Sequence, residues 1–349
     1  MKSLHTKATF GALLVALAAS AFAVAPASAQ SDILLRLRSG SPLGDRFRVD
    51  SASGFVAKGV LGIGIIPFTG AGERLMWHPY KAAFRAGSIG SAGTQWDDAN
   101  VGFYTWAGGY NTIALGLSSF AMGYQSTALG SYSNALGYTA NADGTGAVAI
   151  GYRTTADADY SVAIGQRAST NGHAGAIVFS DGSTTDSTQA SANNQFTVRA
   201  AGGIRLFTNA TMTTGVQVAA GGSSWAVISD RNRKEGFAAV NGEDLLLRLR
   251  NVPVTTWRYR DEADRATLHI GPMAQDWHNA FGFTTDDRTI NMSDFDGVNL
   301  AAIQALEART AELKASTEEV VRLRAELDAT RARLDALEQA VRALQERKN

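Results

Sequence analysis

The chain has 349 residues, enough for two or three domains that each bury a core. Its 32 basic and 32 acidic side chains balance, so no overall field favours nucleic acid or another polyanionic partner. It contains no Cys, which excludes disulfides, thiolate metal sites and thiol catalysis, and its 36 Gly against 6 Pro favour closely stacked turns over a disordered linker.

Residues 1–29 have the pattern of a secretory signal peptide. Lys2 and Lys7 precede an apolar run over residues 10–24, and Ala27-Ser28-Ala29 supplies the small-x-small site that a signal peptidase reads. The apolar run has about fifteen residues, fewer than the roughly 20 that a spanning helix needs. We therefore expect cleavage after Ala29, a secreted or cell-surface location, and a mature chain without a membrane span.

Residues 30–110 are predicted to form a β-rich N-terminal cap. Short apolar or alternating runs lie at residues 33–37, 47–49 and 62–66, separated by Gly, Ser and Pro. An aromatic cluster then follows within residues 77–106: Trp77, Phe84, Trp96, Phe103, Tyr104 and Trp106. An exposed cluster of this kind could bind a glycan or a peptide. Such clusters are more often the core of a small β domain, however, and we expect a core rather than a site.

Residues 111–170 repeat with a period of seven. Alanine recurs at every seventh position from 114 to 163, and in most units a Gly follows two residues later. Asp143 and Asp157 replace an apolar residue in alternate units, so the true period is fourteen. A Gly in each unit would cost a helix about 1 kcal/mol, which excludes a coiled coil here. Short strands with a small residue facing a narrow core and Gly at each corner instead predict a β-solenoid.

Three segments of this repeat resemble the head repeats of trimeric autotransporter adhesins. They are Phe120-Ala-Met-Gly-Tyr, Asn134-Ala-Leu-Gly-Tyr and Val148-Ala-Ile-Gly-Tyr. The resemblance implies that three chains each wind a β-roll and pack side by side as a homotrimer. It also implies that the head meets a surface ligand or glycan, which the repeats do not identify.

Residues 171–228 are predicted to continue as a β stalk. The stretch from Gln195 to Phe207 reads as two alternating strands around a Gly202-Gly203 turn, and residues 183–194 read as a polar loop. The composition changes after Ile228, where we place a domain boundary.

Residues 229–298 have a mixed α+β pattern, and residues 299–349 have a helical one. A short helix is predicted near residues 244–249, a strand at 254–260, and a second strand from His269 that runs into a turn or helix start. Beyond residue 299 there is neither Gly nor Pro, and apolar residues recur every seven positions, several joined by another three later: Leu306, Leu313, Leu323, Val320, Leu327, Leu334, Leu337, Val341 and Leu344. This spacing predicts a coiled coil, with weaker layers at Ser316 and Thr330.

Ser229 and Lys234 form a candidate catalytic pair. A serine that attacks a peptide carbonyl needs a base, and a lysine can be that base where burial or nearby cations keep it neutral. Taken alone, a Ser and a Lys five residues apart are more often part of an ordinary loop. On a helix they would point roughly 140 degrees apart, so the pair needs a non-helical turn or a neighbouring subunit.

The C-terminal third resembles the intramolecular chaperone domain of bacteriophage endosialidases and tailspikes. The resemblance rests on Ser229-Asp230 with Lys234, on Gly271-Pro-Met-Ala-Gln275-Asp276, and on the helical segment that follows Asp296-Gly297. It implies that this domain drives trimerisation through a trimeric coiled coil and then cuts the Ile228-Ser229 bond, with Ser229 as nucleophile and Lys234 as base.

The same resemblance gives Asp230, Gly271 and Gln275 structural roles at recurrent family positions. Asn232-Arg233 and Glu235-Gly236 depart from the family pattern. The alternative is a surface adhesin or structural fibre in which this domain is a permanent trimer clamp and both side chains are inert. A polysaccharide-degrading tailspike is a third reading, for which no suitable carboxylate constellation precedes residue 228.

We expect no cofactor and no metal. The five His have no zinc-ligand spacing, and Asp294-Phe-Asp296-Gly297 is more typical of a helix cap than of a calcium loop. The expected fold is therefore mainly β, a trimeric β-solenoid or β-roll head and stalk. It is followed by a C-terminal α+β chaperone domain that ends in a long α-helical coiled coil.

Overall fold

The structure is a computed structural model that describes residues 33–39, 44–51, 54–283 and 285–347. The signal peptide expected at residues 1–29 lies outside the described residues. The described chain is mainly β, with a β-solenoid and a long C-terminal helix, as the sequence predicts. It divides into two compact units. The first runs to Ile204 and includes Val218–Ser223, and the second comprises Arg205–Gln217 and the chain from Ser224 onward.

The first unit begins with antiparallel strands. A three-stranded sheet has the order β1-β2-β3 and contains β1 (Ile33–Ser39), β2 (Gly44–Asp50) and β3 (Gly54–Ala57). A hairpin then follows, formed by β4 (Gly72–His78) and β5 (Ala83–Ile89). The apolar run at residues 62–66 forms no strand.

The solenoid consists of long and short strands that alternate along the chain and stack in parallel. The long strands are β6 (Trp106–Tyr110), β8 (Phe120–Tyr124), β10 (Asn134–Tyr138), β12 (Val148–Tyr152), β14 (Val162–Gln166), β16 (Ile177–Ser180) and β18 (Phe196–Arg199). The short strands are β7 (Ile113–Ala114), β9 (Thr127–Ala128), β11 (Asn141–Ala142), β13 (Thr155–Ala156), β15 (Ala168–Ser169) and β17 (Thr188–Gln189). The long strands continue β4 and β5 in one sheet, and the short strands form a second sheet.

Strand register confirms the predicted period of fourteen. Ala135 pairs with Ala121 on one side and with Ala149 on the other, and each step along the sheet is fourteen residues. Later coils are longer, because Val162 pairs with Ile177 and Ile177 with Phe196. The extra residues form the turns and the polar loop that the sequence placed at residues 183–194.

The solenoid core is narrow and is built from small side chains. The predicted inward alanines are fully buried: Ala114, Ala121, Ala128, Ala135, Ala142, Ala149, Ala156 and Ala163. The sequence reading missed a second inward row of hydroxyl side chains, two residues before the first: Thr105, Thr112, Ser119, Ser126, Ser133, Thr154 and Ser161. Several of these hydroxyls donate to backbone carbonyls, as Ser133 does to Gly130 at 2.7 Å, which satisfies a buried polar group at little cost in space.

Glycine is required in the strands as well as at the corners. Gly137 lies inside β10 with φ +133°, and a Cβ there would lie 2.0 Å from the carbonyl oxygen of Gly151 in the next coil. At a corner, a Cβ on Gly130 would lie 1.9 Å from the carbonyl oxygen of Gly144. Both positions bring backbone against backbone, which no larger residue permits.

Arg85 closes the core at the β5 end. It pairs with Ala107 and so occupies the alanine row, where its side chain is fully buried. Its guanidinium donates to the carbonyls of Phe84 (2.8 Å), Thr105 (3.2 Å) and Ala114 (3.0 Å), and to the Thr105 hydroxyl (3.0 Å). Burial lowers the pKa of Arg85 to about 10. Backbone carbonyls, rather than a carboxylate, solvate this cation.

The expectation that the aromatic cluster forms a core is wrong for most of its members. Trp96 is fully buried, and its indole N–H donates to the Thr112 carbonyl at 2.8 Å. Trp77 and Trp106 are 37% and 48% exposed because they occupy outward positions of their strands. Phe103 and Tyr104 are also exposed. Successive residues of a strand point to opposite faces of the sheet. Aromatic residues that are close together in the sequence therefore need not share one core.

The outer face of the long strands is mostly apolar, with Asn134 as a polar member. Successive strands contribute exposed outward residues to two rows. One row includes Trp106, Ile177 and Phe196, and the other includes Met122, Ile150 and Phe179. A third row is a stack of Tyr110, Tyr124, Tyr138 and Tyr152, whose neighbouring ring centroids lie 5.1, 4.9 and 5.0 Å apart. A continuous exposed apolar face of this kind is typical of an interaction surface.

The predicted strands at residues 195–207 form, but in different sheets. β18 pairs with β16 in the solenoid, whereas β19 (Ile204–Phe207) joins β20 (Gly215–Val218) and β21 (Ala226–Val227) in a separate three-stranded sheet. The Gly202-Gly203 turn therefore links two sheets and does not close a hairpin.

The C-terminal elements match the predicted order. They are α1 (Gly242–Arg250), β22 (Thr255–Trp257), β23 (His269–Gly271), α2 (Ala274–Phe281) and α3 (Met292–Glu346). β22 and β23 are antiparallel. A small core joins the helices and contains Leu245, Val252, Trp277, Val298 and Ala302. Outside it, Arg309 Nε donates to Glu243 at 2.8 Å and fastens α3 to α1.

Helix α3 has 55 residues and carries the heptad pattern on its surface. Its N-cap is Asn291, which accepts a hydrogen bond from the Ser293 N–H at 2.9 Å. Asp294 and Asp296 lie inside the helix, so the expectation that their stretch forms the cap is wrong. The apolar heptad side chains are exposed, from 43% at Val320 to 68% at Leu313. Among the described helices, none has the length and apolar character needed to span a bilayer.

Candidate functional site

Ser229 and Lys234 lie side by side in the second unit. The Lys234 ammonium donates to the Ser229 hydroxyl oxygen at 2.6 Å. Between them the chain makes a single 3-10 turn over Arg231–Arg233, while Asp230 (φ −70°, ψ 127°) and Lys234 (φ −124°, ψ 150°) are extended. A non-helical turn within one chain thus brings the two side chains together.

The turn is held by local hydrogen bonds. Asp230 Oδ1 accepts from the backbone N–H of Asn232 at 2.9 Å and from its side-chain Nδ2 at 3.0 Å. The N–H groups of Arg233 and Lys234 donate to the carbonyls of Asp230 and Arg231, both at 3.1 Å. These four bonds fix the backbone at every residue between the serine and the lysine.

Ile228, on the other side of the serine, is anchored to the preceding sheet. Its N–H donates to the carbonyl of Gly215 in β20 at 3.2 Å, directly after β21 ends at Val227. Gly215 itself packs against β19, since a Cβ there would lie 2.0 Å from the Leu206 carbonyl oxygen. The peptide bond between Ile228 and Ser229 therefore joins a strand-anchored residue to the turn.

The pair is open to solvent in the single chain. Ser229 and Lys234 are exposed, as are the residues on either side except Ile228, which is half-buried. The stretch includes four large apolar side chains that are each more than half exposed: Trp225, Val227, Phe237 and Val240. A lysine acts as a base only after it loses its proton, which loss of water favours. The geometry places a hydroxyl in contact with an amine, and the apolar side chains around the pair offer a surface that another chain could cover.

The other predicted family residues lie elsewhere in the unit. Gly271 ends β23 and Gln275 lies in the first turn of α2. Together with Trp257 and Tyr259 they line a cavity of about 790 Å³ that includes neither Ser229 nor Lys234. Asp230 alone among the three structural positions is part of the turn. The part of the chain that the structure describes holds no group of three or more His, Asp or Glu side chains arranged to bind a metal ion.

Sequence reasoning missed the roles of Asn232 and Arg231. Asn232 donates two hydrogen bonds to Asp230, and the Arg231 guanidinium lies 4.9 Å from the centroid of the Phe237 ring. The Asp-x-Asn spacing carries a usable signal, because an Asp that accepts from the residue two positions later forms an Asx turn. The stacking on Phe237 had no such local signal.

Comparison with known families confirms both resemblances. The family described as chaperone of endosialidase matches residues 229–284, beginning at Ser229. The YadA head domain repeat matches residues 107–133, 116–140, 135–154 and 142–168, which together cover the regular coils of the solenoid. No curated protein and no solved structure matches the chain. The chain therefore combines a region similar to YadA head repeats with a region similar to the chaperone of endosialidase.

Proposed function

We propose that this chain is an exported homotrimeric fibrous surface protein whose C-terminal domain guides trimerisation and then cuts the Ile228-Ser229 bond. Ser229 is the nucleophile and Lys234 its base. The observation that carries the proposal is the 2.6 Å contact between Lys234 Nζ and Ser229 Oγ. That contact lies at the first residue of the matched chaperone region.

The reaction is an acyl transfer followed by hydrolysis. Neutral Lys234 takes the hydroxyl proton, and Ser229 Oγ bonds to the carbonyl carbon of Ile228. The bond from that carbon to the Ser229 nitrogen breaks, and the nitrogen leaves as an amine that takes a proton from Lys234. Water then hydrolyses the resulting ester, leaving a carboxylate on Ile228 and a free amino group and hydroxyl on Ser229.

Assembly of the trimer would activate cleavage. In the single chain, water surrounds Lys234, whereas a trimer that covers Trp225, Val227 and Phe237 would exclude water and favour the neutral amine. Cleavage would then follow correct assembly. Cutting afterwards separates the fibre from the domain that assembled it, so that unfolding becomes kinetically irreversible.

Two exposed apolar surfaces support the trimer. One is the outer face of the long solenoid strands, and the other is the heptad stripe of α3. A parallel β-solenoid has many non-local contacts and folds slowly, whereas a helix forms quickly from local contacts. A coiled coil that joins three chains first would bring their strands into register.

We propose the following boundaries for this architecture. A signal peptide at residues 1–29 directs export, a β-rich cap spans 30–110, and head repeats span 111–170. A β stalk spans 171–228, the chaperone and peptidase domain spans 229–298, and the trimeric coiled coil spans 299–349. The partner proposed for the head is a surface ligand or glycan.

A second candidate is a fibre in which the C-terminal domain is a permanent clamp. The observation in its favour is the exposure of Ser229 and Lys234, since a solvated lysine is a poor base. Both family matches fit this candidate equally well. The two candidates differ in one outcome, because the clamp leaves the chain uncut.

Intact mass of the denatured protein separates the candidates. The chain is expressed from residue 30, beside S229A and a control, S224A, that removes a nearby hydroxyl. We expect fragments 30–228 and 229–349 in the wild type and in S224A, and full-length chain alone in S229A. Uncut wild-type chain in a sample shown to be trimeric would leave the clamp as the function.

A further inference from the structure

We propose that Asp230, bridged to Asn232, is a positioning residue that holds Lys234 against Ser229. The inference rests on the proposed function, because it concerns the geometry of the same pair. It goes further because it explains how two residues five positions apart come into contact, through the hydrogen bonds that one Asp230 oxygen accepts. It also gives a task to Asn232, which is a departure from the family pattern.

The spacing alone does not bring the pair together. An extended chain would separate the two residues by about 16 Å, at roughly 3.3 Å for each of five steps. A helix would turn their side chains about 140 degrees apart. The observed contact therefore depends on one 3-10 turn with an extended residue at each end.

Local hydrogen bonds and the stacking of Arg231 on Phe237 hold this turn in the single chain. No residue of the turn is buried, so core packing does not fix its backbone. Asp230 Oδ1 accepts two hydrogen bonds, from the Asn232 N–H at 2.9 Å and from Asn232 Nδ2 at 3.0 Å. Removing that oxygen removes both bonds at once and leaves only the two backbone bonds of the turn.

Asn232 is matched to this task. Asp230 Oδ1 already accepts a hydrogen bond from the Asn232 backbone N–H, and the Asn232 side chain donates a second one to the same oxygen. The two bonds together fix the orientation of the Asp230 side chain. Alanine at position 232 would keep the backbone bond and lose the side-chain bond. The expected order of effects is therefore a large loss on removing the Asp230 oxygen and a smaller loss on removing the Asn232 amide.

A charge role and a positioning role for Asp230 give different results. If its negative charge acted on Lys234, then D230N would be as damaging as D230A. If it positions the turn through a hydrogen-bond acceptor, then D230N retains an oxygen at the same place and restores function. The conservative variant therefore distinguishes the two roles.

The first test is the self-cleavage rate of the full trimeric chain. We expect D230A to slow cleavage at least about tenfold, N232A about threefold, and D230N less than threefold, with trimer content unchanged. The matched control is D261A, which removes an exposed carboxylate from another loop and should leave the rate unchanged. Cleavage of D230A at the wild-type rate, or equal slowing by D230N, would overturn the inference.

The second test does not require cleavage. Because the chain has no Cys, S229C introduces a unique thiol whose alkylation by iodoacetamide can be followed against pH on uncut chain. An ammonium group held beside that thiol lowers its pKa, so adding K234M should raise the thiol pKa by about one unit. Adding D230A should also raise it, by less than K234M does, and adding D230N should not raise it.

The two tests keep the inference separate from the proposed function. An uncut wild-type trimer with the expected thiol pKa pattern would reject self-cleavage and retain the positioning role. A thiol pKa that D230A leaves unchanged would reject the positioning role even if the wild-type chain cuts itself.

Discussion

Asp181 shows how a single carboxylate fastens the last coils of the solenoid. Its oxygens accept from Arg199 Nε at 2.9 Å, from the Ser183 hydroxyl at 2.7 Å and from the Ala201 N–H at 2.5 Å. These donors, the Ala201 N–H foremost, hold the pKa of Asp181 well below its usual range. One side chain thus joins the end of β16 to the chain beyond β18.

This carboxylate predicts a pH dependence. A carboxyl whose pKa is lower in the folded state contributes stability above its unfolded pKa of about 3.9 and loses that contribution as the pH falls toward the folded value. We therefore expect D181N to lower the thermal midpoint of the head at pH 7 and to differ less from the wild type at pH 3, because the loss begins below a pH of about 4 and continues toward the folded pKa. Circular dichroism melts of the full chain at both pH values measure the difference.

The control is D186N, whose carboxylate accepts a 3.3 Å bond from the Thr184 hydroxyl and does not meet the Arg199 guanidinium directly. It should melt close to the wild type at both pH values. A D181N difference that is the same at pH 3 as at pH 7 would show that the ionised carboxylate is not what stabilises the folded head.

At the scale of single residues, the sequence predicts the role of a residue when that role depends on neighbours only a few positions away. Ser229 and Lys234 were identifiable because their spacing belongs to a known family, and the structure places them in contact. Arg85 and Asp181 were not, because their roles depend on which strands become neighbours. Arg85 is an ordinary polar residue in the sequence until its pairing with Ala107 places it in the alanine row.

The elements of the solenoid depend on backbone contact between coils, and Gly137 tests this dependence. Ala at position 137 must accept both a positive φ and a Cβ that lies 2.0 Å from the Gly151 oxygen. We expect G137A to lower the free energy of unfolding by about 3 kcal/mol, because neither strand can move without breaking the ladder. Denaturant unfolding of the full chain measures the change.

Gly172 provides the matched control for this substitution. It also has a positive φ, +75°, but a Cβ there would meet no atom within 4 Å. G172A should therefore cost about 1 kcal/mol, the strain of the left-handed backbone alone. Equal costs at the two positions would mean that backbone strain, and not contact between coils, accounts for the glycines.

Elements that repeat with a strict period were predictable from the sequence, whereas the pairing between strands was less predictable. The fourteen-residue period gave the solenoid and its inward alanines. It did not give the hydroxyl row, because Ser and Thr are common at exposed turn positions too. The strands around Gly202-Gly203 were located correctly, yet strand content alone could not show that β18 pairs with β16 and β19 with β20.

At the scale of the whole molecule, the heptad stripe of α3 is the clearest sign of association. In a single chain, most apolar side chains of this 55-residue helix are exposed, so burial of an apolar face contributes little to its stability. The stripe includes polar positions at Ser316 and Thr330, which weaken two layers. The sequence predicted this helix and its stripe, whereas the number of chains comes from the family resemblances and remains a proposal.

The last prediction concerns whether trimerisation through α3 controls cleavage. Leu334 is 58% exposed in the single chain and lies within the stripe, between Leu327 and Val341. L334D would place a charge in each of three chains at one buried layer, so we expect the trimer to dissociate at least about tenfold more readily. Analytical ultracentrifugation measures the trimer content, and intact mass of the same sample measures the cut fraction.

The matched control is A336D, which adds the same charge two residues away on the outer side of the helix. It should remain trimeric and be cut as the wild type is. T330L should strengthen association, because it replaces a polar layer with an apolar one. If L334D remains trimeric, α3 is not the assembling element. If it becomes monomeric and is still cut at the wild-type rate, cleavage does not depend on assembly, and a single exposed chain must supply the neutral lysine by itself.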